Sequence, residues 1–321
     1  MLVTAALAAV ALILPVGDWT SARLTSSRSS SPRLDYGNSW RRSFNGKINP
    51  APSPNAWRSA GSAKAAPAQL VTPDADCTVD ELLSRYWNDG EGFVVEDEAE
   101  LAMIDEHGLA EADDGYRAAV LAEAYGASTY GEVTLDGARS LFAAMGLHEA
   151  RDAHFFDLGS GVGRLVAQAW LELPEECLAS AVGVELSPTR HTAAERAWAA
   201  LAAGSSTRCR AKGAPEFRLE SMLDADLSQA THIYVASLCM PDGVLDALWS
   251  RLQESAPKLQ VLATLYPMRK AAGRPLEAWR EPTRTVQVDM SWTEGDGVGA
   301  DVYLFEWCTA EGEARSRCSG T

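Results

Sequence analysis

The chain has 321 residues, enough for one large α/β domain with extra segments. Its 44 Asp and Glu outnumber 28 Lys and Arg, giving a formal charge of -16, and the charge is uneven. Residues 1–72 hold eight Lys and Arg against two acids, a surplus of six, so the remainder carries -22. An acidic body argues against tight binding to phosphate backbones, which takes clustered Lys and Arg, and suits a basic protein partner. The six Cys (77, 177, 209, 239, 308 and 318) contain no Cys-x-x-Cys pair and have no His at ligand spacing, so no metal site is expected.

Leu2 to Leu14 is an apolar run too short to span a bilayer, so no stable membrane span is expected. It resembles the h-region of a signal peptide without a basic n-region. Ser, Arg, Pro and Ala dominate from Ser21 to Pro67. Together the two runs read as a two-part, plastid-like targeting leader over residues 1–72, with a plain disordered arm as the alternative. From Thr78 the pattern turns ordered. Val79, Leu82, Leu83 and Tyr86 share one helical face, and further helices are expected over Ala99–His107, Tyr116–Tyr125 and Val133–Met145, the last ended by Gly146. Residues 73–148 are thus expected to form a helical cap in front of a sheet. The five His are dispersed and expected to be structural or exposed.

Next comes Asp157-Leu158-Gly159-Ser160-Gly161-Val162-Gly163, between a strand-like run (Ala153 to Phe156) and a helix-like run (Arg164 to Glu172). Glu185 closes the following strand-like run. This is the layout of a nucleotide site at the first crossover of a doubly wound sheet. The glycines let the turn approach a ligand, and free N–H groups at the helix start face it. Glu185 can accept from both ribose hydroxyls. The spacing Gly-x-Gly-x-Gly followed by Arg164 departs from the dinucleotide fingerprint, and Asp157 would repel a pyrophosphate. A carboxylate there suits a cationic ligand such as S-adenosylmethionine; a turn that only packs a helix on a strand, and NAD, are the alternatives.

Strand-like runs at 153–158, 180–185, 217–219, 231–236, 260–264, 285–291 and 301–307 alternate with helix-like runs at 161–172, 188–203 and 241–255. The fold class is α/β: a Rossmann-like, seven-stranded, mostly parallel sheet over residues 149–309, with a tail at 310–321. The Gly-rich turn Glu294 to Gly297 makes the last two strands an antiparallel hairpin, as in S-adenosylmethionine-dependent methyltransferases.

Four strings in order, Thr129-Tyr130-Gly131-Glu132, the Asp157 to Gly163 turn, Gly183-Val184-Glu185, and Ser291-Trp292-Thr293 followed by Tyr303-Leu304, resemble the disruptor-of-telomeric-silencing family of histone lysine methyltransferases, which lack a SET domain. The resemblance runs from about residue 110 to 308. It implies that Tyr130 and Glu132 lie against the methionine end of S-adenosylmethionine, with Asp157, Gly159, Ser160, Gly161 and Gly163 in the turn beside it and Glu185 at the ribose. Gln168 matches a family Gln, and Trp292 and Tyr303 match aromatic positions on the substrate side. Two strings depart from the family. Its Asn-Asn-Phe-x-Phe is Ala236-Ser237-Leu238-Cys239-Met240 here, leaving Ser237 as the polar group beside the target amine. Its Gly-Asp-Phe aligns near Glu220-Ser221-Met222, leaving Ser221 or Glu220 for the adenine. After Trp307 only Arg315 and Arg317 are cationic, so a basic nucleosome-binding tail like the family's is not expected in residues 308–321.

The implied activity is transfer of a methyl group to a lysine of a protein, such as a histone or another basic protein, with Tyr130, Trp292, Tyr303 and Ser237 at the reacting end. A methyltransferase of the same fold acting on another protein or a small molecule, and a non-catalytic cofactor-binding module, are the competing readings. Location divides likewise: the leader points to an organelle and the resemblance to the nucleus.

Overall fold

A computed structural model of the chain describes residues 77–88, 91–93, 95–109, 130–204, 213–266, 281–293 and 298–307. The expected leader (1–72), the helix at 116–125, the turn at 294–297 and the tail at 310–321 lie outside the described residues. Among the described residues no helix is long and apolar enough to cross a membrane, and no group of three or more His, Cys, Asp or Glu is placed to hold a metal ion.

Seven strands form one sheet: β1 (Ala153–Leu158), β2 (Leu178–Glu185), β3 (Glu216–Leu219), β4 (His232–Val235), β5 (Val261–Thr264), β6 (Arg284–Val288) and β7 (Ala300–Glu306). Their order is β3-β2-β1-β4-β5-β7-β6. β1 to β5 pair in parallel, and β7 runs antiparallel to both β5 and β6. The expected parallel sheet with a closing antiparallel pair is therefore present. The order reverses between β1 and β4, which opens a crevice at the carboxyl ends of those strands. Register sets Asp157 of β1 beside Gly183 of β2 and Tyr234 of β4, one residue short of the strand end.

Among the described residues, six helices of eight residues or more accompany the sheet: α1 (Val79–Tyr86), α2 (Glu98–Leu109), α3 (Leu135–Ala144), α4 (Arg164–Glu172), α5 (Pro188–Gly204) and α6 (Asp242–Ser255). Their starts are chemically marked. Thr78 and Glu81 form a reciprocal capping box on α1. The Thr134 hydroxyl accepts from the Gly137 amide on α3. Ser187 accepts from the Arg190 amide, and Pro188 occupies the first turn of α5, where no N–H is missed.

The strands alternate between two cores. Phe155, Tyr234, Ala263 and Leu304 face α1, α3, α4 and α5, meeting Leu83, Phe142, Val166 and Leu201. Phe156, Leu158, Ile233, Val235, Leu262 and Phe305 face α6, meeting Leu248, Trp249 and Leu252.

First, helix α1 joins the helix layer across α4 and α5. Eight residues are too few to hold a helix without tertiary packing, and the Leu82–Leu83 stripe finds its apolar surface there. Tyr86 lies against Gly204, where a Cβ would overlap its hydroxyl. Second, β6 ends at Val288 rather than continuing to Ser291. Met290 bridges Val133, the Thr134 amide donates to Asp289 O at 3.1 Å, and the Ser291 amide donates to Glu132 O at 2.8 Å. Val133 is therefore extended and α3 starts at Leu135. The segment just before α3 is tied to the far edge of the sheet.

Gly163 ends the glycine turn at φ 73°, and a Cβ there would overlap Phe217 and meet Ala194 at 2.9 Å. Gly163→Ala is expected to lower stability by about 2–4 kcal/mol through left-handed strain and overpacking, measured by urea unfolding.

Candidate active site

The glycine turn closes on itself and on β2. The amides of Gly159 and Ser160 both donate to Val184 O, and the Gly163 amide donates to Ser160 O. Gly161 sits at φ 56° with its amide 2.7 Å from Glu185 Oε2, while the Ser187 amide donates to Glu185 Oε1 at 2.8 Å. Each carboxylate oxygen has two lone pairs, so Glu185 keeps acceptor capacity for two vicinal hydroxyls. Ser160 packs on Gly183, where a Cβ would come 2.7 Å from its Oγ.

Asp157 is 3% exposed, and its Oδ1 has no hydrogen-bond partner. Burial, with the Glu185 charge adding to it, pushes its carboxyl up to about 8. An orphaned buried carboxylate oxygen beside a second carboxylate is a site that a cation completes.

Tyr130 and Glu132 lie over this turn. The Tyr130 ring is held between Gly92 and Gly161, at both of which a Cβ would overlap it. Its hydroxyl donates to Glu132 Oε1 at 2.7 Å and accepts from the Val162 amide at 3.3 Å. Burial, then the Glu132 charge, raises the phenol well above its ordinary value, so it stays neutral. Glu132 also takes Arg164 Nη1 at 3.4 Å. Gly131 between them carries the Trp292 ring, which leaves no room for a side chain.

Sequence reasoning missed the supports of this arrangement. Arg190, buried in the first turn of α5, stacks its guanidinium 4.5 Å from the Tyr130 ring centre and donates to Gly92 O at 3.1 Å. Trp87, buried just past α1, donates its indole N–H to Val162 O at 2.7 Å. These partners lie far away in sequence, so no local pattern signals them. The Ser187-Pro188 helix start was legible and would have put Arg190 beside the end of β2.

α2 lies across the carboxyl ends of β2 and β3. Glu100 accepts from the Ser187 hydroxyl, from the Thr189 amide at 3.0 Å and from the Thr189 hydroxyl at 2.5 Å. Two turns on, His107 Nε2 lies 2.9 Å from Ser221 Oγ, which also accepts from the Leu223 amide at 3.2 Å. Ser221 is thus tied to α2 through His107, one of the five His expected to be structural or exposed. Gln168 is buried on α4 and donates to Leu135 O at 2.9 Å and to Glu172 at 3.2 Å. It anchors the start of α3, and through it the Tyr130–Glu132 segment.

On the substrate side the expected residues do not converge. Ser237 is fully buried in a 3-10 turn, and its oxygen accepts from the Tyr266 amide at 2.9 Å. The tight turn after β4 points it inward, where it ties down the end of β5. Ala236, Leu238, Cys239 and Met240 are half-buried, and Met240 Cε would lie 3.7 Å from a Cβ on Gly159. The lining next to the turn is therefore apolar. Trp292 packs with the core of α3 and α4, while Tyr303 packs on the α6 side with Tyr266 and Met240. Trp292 lies beyond the end of β6 and Tyr303 on β7, and the two pack against different cores.

S-adenosylmethionine fits the residues present. Asp157 offers an unpartnered oxygen to an ammonium, Glu185 has lone pairs for a ribose, and the side-chain-free turn admits the ligand.

Residues 118–230 match the family model described as Histone methylation protein DOT1, about a third of the chain, taking in Tyr130, the glycine turn and Glu185. A search of curated proteins finds no match. Similar solved structures include an RNA methyltransferase from Salinibacter ruber with S-adenosyl-L-homocysteine, at 22% identity over 55% of this chain and 94% of that one, TM-score 0.37. Magnesium protoporphyrin IX methyltransferase from Synechocystis PCC 6803 with bound SAM shares 12% identity over 72% and 97%, TM-score 0.35. A SAM-dependent methyltransferase from Leishmania major shares 16% over 54% and 70%, TM-score 0.34. The chain thus has a Rossmann-like, seven-stranded α/β fold of the order β3-β2-β1-β4-β5-β7-β6, and its residues 118–230 match the family model described as Histone methylation protein DOT1.

Proposed function

We propose that the protein is a protein-lysine N-methyltransferase. The observation that supports this most is the Tyr130-Gly131-Glu132 segment, held over the glycine turn by Trp292 and Arg190 and lying inside the matched residues 118–230. The cofactor supplies an electrophilic methyl group on sulfur; the protein's part is to align an amine with it and to exclude water. Asp157 and Glu185 hold the two ends of the cofactor. Glu132, fixed by Tyr130 and Arg164, orients the covering segment. The half-buried Leu238, Cys239 and Met240 give the acceptor an apolar approach, which favours a neutral amine over an ammonium, so no strong base is needed. The acidic body attracts a basic protein to that mouth.

The inward turn of Ser237 favours a second reading, a methyltransferase acting on another class of acceptor, because no side-chain hydroxyl is left at that position to hold an amine. Transfer of labelled methyl by the full chain, offered nucleosomes, free histones and a mixed organelle extract in parallel, separates the two. Label on lysines of histones or of an extract protein is expected. Label only on small molecules, with none on protein, contradicts the proposal.

A further inference from the structure

Among the buried polar atoms of the described residues without a partner, two belong to residues paired across adjacent strands: Asp157 Oδ1 and the Tyr234 hydroxyl. The two residues are register partners on β1 and β4, strands that stand about 4.8 Å apart. Tyr234 belongs to the core on the α4 side, as does Phe155, and Asp157, two residues on from Phe155, points to the same face. Asp157 is 3% and Tyr234 2% exposed, so neither is satisfied by bulk water. Nor are they bonded to each other. An unsatisfied buried polar group is costly to leave, and the structure carries two on register-paired residues. Such a pair is explained by a third group that donates to both.

We propose that the Tyr234 hydroxyl and the Asp157 carboxylate together grip the ammonium of the cofactor's methionine end, which makes Tyr234 a cofactor-binding residue. An ammonium has three N–H donors: one goes to Asp157 Oδ1 and a second to the phenol oxygen. The phenol keeps its own proton. Burial, then the charge of Asp157, holds it well above its ordinary range, so it acts as an uncharged acceptor and adds no second negative charge. The inference rests on Asp157 facing the ammonium, and the test separates the two claims.

The test is calorimetric titration of the full chain and its Tyr234→Phe and Asp157→Asn variants with S-adenosylhomocysteine and with 5′-methylthioadenosine, which lacks the amino-acid end. Tyr234→Phe is expected to weaken S-adenosylhomocysteine about tenfold, leave methylthioadenosine unchanged, and leave the ligand-free melting temperature equal or higher because an unsatisfied hydroxyl is gone. Asp157→Asn is expected to weaken S-adenosylhomocysteine further. If Asp157→Asn loses affinity and Tyr234→Phe does not, the inference about Tyr234 is overturned alone. If Tyr234→Phe weakens both ligands equally, its role is structural and the inference is again overturned. If Asp157→Asn binds like wild type, the reading of Asp157 falls and the inference falls with it.

Discussion

Asp157→Asn is expected to abolish cofactor binding while making the ligand-free protein more stable. The buried carboxyl is raised to about 8, first by burial and then by Glu185. A group raised in the folded state binds its proton more tightly there than in the unfolded chain. Its contribution is therefore fully present below the unfolded value near 4 and is lost as pH rises through about 8. The full span corresponds to roughly 5 kcal/mol, an upper limit. Asparagine removes the slope. The variant is expected to melt at about the wild-type temperature at pH 4 and several degrees higher at pH 8, with S-adenosylhomocysteine affinity down at least about a hundredfold. Wild type, in turn, is expected to release a proton on binding at pH 7, read as a buffer-dependent calorimetric enthalpy. Equal melting curves at both pH values, or retained affinity, would remove Asp157 from the site.

Trp87→Ala is expected to be among the most damaging substitutions in the cap. Trp87 is 1% exposed, and its indole N–H holds Val162 O at 2.7 Å, so truncation opens a large cavity and releases the glycine turn. Loss of such a side chain costs about 3–5 kcal/mol. Trp87→Phe keeps most of the volume, loses the hydrogen bond, and is expected to cost about 1–3 kcal/mol. Urea unfolding measures both. The functional part of the expectation is that Trp87→Phe weakens S-adenosylhomocysteine about tenfold, because the turn it positions carries Gly161 and the Val162 amide that meets Tyr130. Destabilisation with unchanged affinity would make Trp87 a core residue only.

The sheet was legible because its signals are local. Buried parallel strands read as continuous apolar runs, crossover helices as periodic ones, and the end of β2 as an acid, Glu185. The cofactor turn was legible for the same reason: glycine spacing and a preceding carboxylate are contiguous. What escaped depends on partners distant in sequence. Nothing near Trp87 announces Val162, and nothing near His107 announces Ser221. The inward turn of Ser237 depends on the end of β5, 29 residues away. The separation of Trp292 from Tyr303 follows from β6 ending at Val288, which frees residues 289–291 to pair with residues 132–134. A strand pattern that stays apolar past its last ladder bond cannot reveal that exit.

The most direct measurement is titration of the full chain with S-adenosylhomocysteine, beside Glu185→Ala. Glu185 is the carboxylate closing β2, bonded to Gly161 and Ser187 and assigned to the ribose. The account predicts saturable binding at one site per chain by wild type and a loss of at least about a hundredfold in the variant. No binding by the folded wild-type chain, or equal binding by both, would contradict it.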